Sequence, residues 1–208
     1  MSLRLNDPAP NFTAHSSQGD LNLYEFQDSH WLVFFSHPAD FTPVCTTELA
    51  EFSRMQPEFT KRNCKLLGLS TNTLNDHSKW KQDIEKISKC DFMYPLVSDP
   101  DHTVAKMYGM MDTVETTFTI RSLFIIDPLH RIRLILTYPI STGRNVNEVL
   151  RCLDSLILVD QHKVTTPVNW RQGDKVIIHP SVSDEQANSL FPNYEMITPY
   201  LRFTNCPK

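Results

Sequence analysis

No two of the five cysteines in this chain form a Cys-x-x-Cys pair; they stand at 45, 64, 90, 152 and 206, odd in number and widely scattered. That argues against a secreted disulfide framework and against a zinc site, and it suits a reducing, cytoplasmic setting. No apolar run approaches the length that spans a bilayer. The stretch Met1-Ser2-Leu3-Arg4-Leu5-Asn6-Asp7-Pro8 has no apolar core, so no secretory signal is expected. Nor is charge of one sign in excess. A net charge of −4 gives no case for nucleic acid or anionic membrane as partner. Internal repeats and low-complexity tracts are missing too. What is present is an ordinary globular composition, 40% hydrophobic and 21% charged over 208 residues. That length allows one good core and a small appended domain.

One stretch organises the rest. Trp31-Leu32-Val33-Phe34-Phe35 is a short, fully apolar run that suits a buried strand. Beyond it, Leu49, Phe52, Met55 and Phe59 recur at spacings of three and four, the stripe of an amphipathic helix. Between them, Ser36 to Glu48 reads as a polar loop that turns into that helix. Thr42 is a suitable N-cap and Pro43 a suitable first helical residue. Cys45 then falls at the third helical position, close to unpaired N–H groups and the positive end of the helix dipole. Pro57 is expected to kink or end the helix. Cys64–Ser70 reads as a second strand, and Asn72 and Thr73 can cap a helix carrying Trp80, Ile84 and Ile87. Leu96 to Pro100 is a short strand. Asp101 to Met110 reads as a helix with Val104, Ala105, Met107 and Tyr108 inward. Ser122–Asp127 and Arg131–Thr137 form a hairpin, and a last helix runs from about Val146 to Leu158. Residues 1–30 read as loops and short strands. The order β-α-β-α-β-α-β-β-α fits a thioredoxin-like α/β fold over 1–164. Past Val164, closely spaced prolines mark a small C-terminal extension, 165–208.

Pro38, Thr42 and Cys45 form Pro-x-x-x-Thr-x-x-Cys, which resembles the active-site signature of the peroxiredoxins, the thiol peroxidases. The string Phe41-Thr42-Pro43-Val44-Cys45-Thr46-Thr47-Glu48 is similar to the version in their one-cysteine subgroup. Thr166-Pro167-Val168-Asn169-Trp170, followed by Gly173-Asp174, resembles the opening of that subgroup's extension, so the resemblance spans the chain. It implies a peroxidase that reduces hydrogen peroxide and organic hydroperoxides through a sulfenic acid on Cys45, with no cofactor and no metal. Two-cysteine relatives carry a resolving cysteine in a Cys-Pro-x-x-Trp stretch. Here Thr166 stands in that place, which implies an external thiol reductant, glutathione or similar. Cys152 and Cys206 remain possible surrogates, and Cys64 and Cys90 are most simply structural. A homodimer is implied by resemblance alone.

The chemistry asks for more than a thiol. With a pKa of about 8.5, a free thiol is only several per cent ionised near neutrality. A helix N-terminus contributes about 0.3–1 kcal/mol toward the anion, up to about 2 when partly buried, so a cation must supply the rest. Full ionisation gains only about fifteenfold in nucleophile, and a lower pKa weakens the nucleophile itself. A fast peroxidase therefore needs groups that bind the stretched O–O bond.

Arg121 begins a run that reads as a buried central strand, where an arginine is costly unless paired; it is either paired there or snorkels at the strand end. The resemblance places it against the cysteine sulfur and the peroxide. It gives Thr42 the peroxide oxygens and Pro38 the exclusion of water. Glu48, one turn past Cys45, holds an arginine or else lies on a solvated face. His37 is a secondary candidate for handling a proton, and Arg144 a structural support. Some one-cysteine relatives also show phospholipase activity through a Gly-Asp-Ser-Trp-Gly motif. This chain has Gln27-Asp28-Ser29-His30-Trp31 instead, so that activity does not carry over. A redox-regulated binding protein using the same Cys45 is the alternative from another class, and catalytic turnover separates the two.

Overall fold

The computed structural model describes residues 3–114 and 117–207. The chain forms two compact units, Met1–Val146 and Asn147–Lys208. In the first, β1 (Thr13–Ser16), β2 (Gly19–Asn22) and α1 (Leu23–Gln27) precede β3 (Trp31–Ser36) and α2 (Pro43–Lys61). Then come β4 (Cys64–Ser70), α3 (Leu74–Ser88), β5 (Leu96–Ser98), α4 (Thr103–Met107), β6 (Arg121–Ile126) and β7 (Ile132–Tyr138). The strands make one sheet in the order β2-β1-β5-β4-β3-β6-β7. β3 and β5 both run parallel to β4, whereas β6 is antiparallel to β3 and to β7. A parallel first half closed by an antiparallel hairpin is the thioredoxin-like arrangement that the order of elements predicts.

Every residue of β3 and β6 is buried. Strands covered on both faces read as continuous apolar runs, which is why both were visible in the sequence. The sheet leaves no room beside Gly68. It pairs with Phe35 on one side and Leu96 on the other, and an added Cβ would overlap Leu96 Cδ2. Gly68→Ala is expected to cost about 1–3 kcal/mol through overpacking. The check is a lower urea midpoint at unchanged m.

Three local expectations need correction, and of the two outcomes expected of Pro57 one is ruled out: α2 does not end there but continues to Lys61. A proline removes one intrahelical hydrogen bond, and the buried Phe52 and Phe59 on either side hold the helix through it. The stretch before β3 contains α1, whose N-terminus is capped by the Asn22 side chain accepting from Tyr24 and Glu25 N–H. On α3 the buried stripe is His77, Trp80, Ile84 and Ser88, and Ile87 is exposed. Helix α4 is shorter than expected and leaves Met107 partly exposed. Thr73 does cap α3, in a capping box with Asp76.

α5 (Val146–Gln161) leads into the second unit, with β8 (Val164–Thr165), β9 (Val176–Ile178), α6 (Asp184–Leu190), β10 (Glu195–Thr198) and β11 (Leu201–Thr204). Its four strands form a separate sheet in the order β10-β11-β9-β8. Val164, Trp170 and Val176 make its core, joined by Leu158, Phe191 and Cys206. No helix among the described residues is long and apolar enough to cross a membrane.

Candidate active site

The loop from β3 to α2 turns at Phe41, whose φ of 57° lies in the left-handed region that a bulky residue rarely enters. Thr42 follows in extended conformation, Pro43 opens the helix, and Thr46 N–H donates to Thr42 O at 2.9 Å. Cys45 is thus the third helical residue, as the spacing predicts. Thr42 departs from expectation in one respect. Its side chain does not cap the helix; the hydroxyl donates to Ala39 O at 2.8 Å instead. The turn at Phe41 folds the loop back on itself, so that carbonyl is the partner in reach.

Cys45 is fully buried, and a guanidinium is buried beside it. Arg121 Nη1 lies 3.3 Å from Cys45 Sγ and donates to Glu48 Oε2 at 2.6 Å. Its Nε and Nη2 both donate to Ile140 O, at 2.9 and 2.7 Å, which fixes the plane of the fork. Glu48 is buried rather than solvated. Its Oε1 accepts from Arg144 N at 2.8 Å and Nε at 2.9 Å, and its Oε2 from Arg144 Nη2 at 3.0 Å. Arg144 Nη1 donates to Ser36 O and Ser122 O, at 3.0 and 3.1 Å. Its guanidinium carbon lies 5.0 Å from the Phe35 ring centre and 5.7 Å from that of Phe52. Burial alone would push the Glu48 carboxyl up, but Arg144, by charge and hydrogen bonds, and then Arg121 hold it below the usual carboxylate range.

The charges at this site do not cancel without the sulfur. One carboxylate stands between two guanidiniums, which leaves one positive charge over. A negative charge on Cys45 would balance it.

Pro38 and His37 are buried in the same loop. His37 Nε2 lies 2.8 Å from Asp40 Oδ1. Asp40 Oδ2 lies 2.6 Å from Nδ1 of His77, on α3. The sequence singled out neither Asp40 nor His77, although a signal existed. His77 shares the spacing of Trp80 and Ile84, and an ionisable residue on an apolar stripe has to find a buried partner. Two of the other cysteines are less suited to attack. All five are free thiols. Burial pushes Cys64 up, and burial together with Glu148 pushes Cys152 up to about 11.

Acid should dismantle this loop before the rest. Burial would raise Asp40, yet its bonds to His37 and His77 bring it down from 3.8 to about 2. A carboxylate with a depressed folded value contributes stability above its unfolded value and loses it as pH falls through the folded one. Burial, partly offset by Asp40, also lowers His37 from 6.5, so the unfolded chain takes up a proton there first. Both signs point the same way. The thermal midpoint is expected to fall below about pH 6.5, most steeply between about 4.5 and 2. In Asp40→Asn the acid limb should be shallower, which calorimetry across pH will read.

A buried thiol paired with a buried arginine, at the head of a helix that leaves an interior strand of this sheet, is an arrangement suited to a cysteine-based redox enzyme. The sequence matches the family model described as AhpC/TSA over residues 5–135 and the C-terminal domain of 1-Cys peroxiredoxin over 155–192. It is 48% identical to the 1-Cys peroxiredoxin of Dictyostelium discoideum, across 99% of this chain and 86% of that protein. With human peroxiredoxin-6 the identity is 38%, across 99% and 98%. A solved cysteine-to-serine variant of peroxiredoxin 6 from Arenicola marina matches with a TM-score of 0.95 at 40% identity, covering all of both chains. The yeast mitochondrial 1-Cys peroxiredoxin, described as resolving its thiol through the glutathione/thioredoxin systems, gives 0.93 at 47%, covering 98% and 99%. The chain belongs to the peroxiredoxin family, in its one-cysteine subgroup, and it is a thiol-dependent peroxidase.

Proposed function

We propose that Cys45 is the attacking thiol, and that its thiolate displaces water or alcohol from the terminal oxygen of hydrogen peroxide or an organic hydroperoxide. Cys45 is left as a sulfenic acid. The observation that carries this is the 3.3 Å contact between Arg121 Nη1 and Cys45 Sγ, with both groups buried. Arg121 holds the thiolate and then the charge that develops along the O–O bond. Glu48 aims Arg121, and Arg144 anchors Glu48. Thr42 shapes the loop with its hydroxyl, whose oxygen can still accept a hydrogen bond from the peroxide. Pro38 keeps water from the sulfur, and His37 handles a proton.

An external thiol such as glutathione regenerates Cys45. Two facts support this: Thr166 stands where a resolving cysteine would, and a solved relative is described as using the glutathione/thioredoxin systems. The segment 165–208 is the subgroup's extension, the enzyme works as a homodimer, and it resides in the cytoplasm. A yeast relative is mitochondrial, so fractionation of cells has to decide the last point.

The test is intact mass after stoichiometric peroxide in the presence of a sulfenic-acid trap, beside Cys45→Ser. One trapped sulfenic acid, no disulfide and an inert variant support the proposal. A disulfide from Cys45 to Cys206 or Cys152 would move resolution inside the chain. An unmodified Cys45 would overturn it.

A further inference from the structure

The peptide that leads into the Cys45 helix has few polar handles. Pro43 gives it no N–H, so only the Thr42 carbonyl can fix its plane. That carbonyl takes two donors, both from Thr46: the N–H at 2.9 Å and the hydroxyl at 2.7 Å. A hydroxyl has one hydrogen, and that of Thr46 goes to Thr42 O. Its oxygen is then an acceptor, and the Trp80 indole N–H donates to it at 3.2 Å. Every direction is settled. The chain runs from Trp80 N–H to the Thr46 hydroxyl to the Thr42 carbonyl.

Trp80 is held firmly at the far end of this chain. It is fully buried on α3. Its ring centre lies 5.2 Å from that of His37 and 6.3 Å from that of Phe41, so one indole packs on two residues of the loop. One helical turn earlier, His77 Nδ1 lies 2.6 Å from Asp40 Oδ2. Helix α3 is thus tied to the loop at Asp40 and again at Thr46, and Phe41 to Cys45 lie between the two ties. A threonine hydroxyl bonded to the carbonyl four residues back slightly destabilises a helix and often bends it. Here a donor from a neighbouring helix supports that bond.

Thr42 is the residue this arrangement fixes. It stands three residues before Cys45, on the same side of the first helical turn. Its hydroxyl donates to Ala39 O at 2.8 Å, which leaves the oxygen to accept from a peroxide. Rotation of the Thr42–Pro43 peptide would carry that oxygen away from its place.

We propose that Trp80 and Thr46 are positioning residues for the peroxide step: their hydrogen-bond chain fixes the Thr42–Pro43 peptide, and with it the Thr42 hydroxyl relative to Cys45. This rests on the reading of Cys45 as the attacking thiol and of Thr42 as an acceptor for the peroxide. Trp80 and Thr46 act only through Thr42.

The test uses the full chain as wild type, Thr46→Val, Thr46→Ser, Trp80→Phe, Thr42→Val and the double variant Thr42→Val with Thr46→Val. Valine keeps the shape of Thr46 and removes both bonds, serine keeps the hydroxyl, and phenylalanine removes the indole N–H. Two rates are compared: oxidation of Cys45 by hydrogen peroxide in stopped flow, and alkylation by iodoacetamide at alkaline pH. Alkylation needs the thiolate but no bound peroxide, so it does not report on Thr42. Thr46→Val should oxidise about 5–10-fold more slowly, with alkylation within about twofold. Trp80→Phe should change in the same direction by less, because the Thr46 bond to Thr42 O survives, and Thr46→Ser should restore most of the rate. Once Thr42→Val is present, Thr46→Val should remove less than about a further twofold, since the group it positions is gone. An unchanged oxidation rate in Thr46→Val would overturn the proposal. So would oxidation and alkylation falling together, or a full further loss on top of Thr42→Val, the marks of a merely structural role. If Trp80→Phe folds poorly, the Thr46 variants decide. A Thr42→Val that oxidises at the wild-type rate would overturn the reading of Thr42, and a wild type inert to peroxide that of Cys45; either takes this proposal with it.

Discussion

Arg121→Met should lower the rate at which hydrogen peroxide oxidises Cys45 by about 10²–10³-fold, the size of losing one preorganised donor at a developing charge. Methionine keeps much of the length and removes the charge and the fork. Glu48 would still hold Arg144 through three bonds, so the cluster should survive. What disappears is the surplus positive charge. One carboxylate and one guanidinium cancel, and a thiolate at Cys45 would then be a buried anion without a counterion. Two donors to Ile140 O disappear as well, at the usual modest cost of broken hydrogen bonds. Arg121→Lys should fall between the two proteins. A lysine keeps the charge, but as a point charge it cannot reproduce the planar set of contacts to Ile140 O, Glu48 and Cys45 Sγ. Stopped-flow rates beside thermal midpoints make the comparison. A loss under about threefold in Arg121→Met, with the fold intact, would remove Arg121 from the mechanism.

Glu48→Gln should damage stability more than any other single change at this site. The substitution keeps the shape and removes the only carboxylate between two buried guanidiniums. Breaking a buried ion pair from one side typically costs about 3–5 kcal/mol, because the remaining charge stays desolvated. In a chain of this size that corresponds to a drop of about 6–20 °C in thermal midpoint. The activity should fall with it, since Arg121 Nη1 then loses its carboxylate anchor and only the bonds to Ile140 O still orient the fork. The double variant Glu48→Gln with Arg144→Met separates the two causes. Removing one guanidinium with the carboxylate should restore part of the stability. If it restores none, charge repulsion is not the reason.

The sequence disclosed the parts of this site that depend on local rules. The apolar run of β3, the Thr42-Pro43 helix start and the three-residue step to Cys45 all follow from propensity and capping, and all stand where spacing puts them. For Arg121 the strand pattern left pairing and snorkelling at the strand end open, and it was the resemblance of the motif that singled the residue out. Glu48 was ambiguous, because one helical turn past Cys45 can face the sheet or the solvent, and only Arg144, 96 residues on, decides which. The Asp40–His77 contact, 37 residues apart, was illegible for the same reason. Pairings between distant residues depend on how elements pack, and periodicity within one element carries no information about them. The Thr42 hydroxyl shows the limit even locally. Its residue type suits a cap, but a strained neighbour at Phe41 gave it another partner.

The surplus positive charge around Cys45 also ranks the oxidation states of the sulfur. Thiolate and sulfinate are anions and both satisfy it, whereas the sulfenic acid between them is neutral. On the proposed mechanism the productive intermediate would be the least stabilised of the three forms, and the product of a second oxidation would sit as comfortably as the thiolate. Heat tolerance should therefore dip when Cys45 becomes a sulfenic acid and recover once it is overoxidised. Calorimetry of the reduced, trap-free sulfenic and sulfinic proteins would register the order directly. A steady decline through all three would mean that packing, not charge, governs what this pocket tolerates.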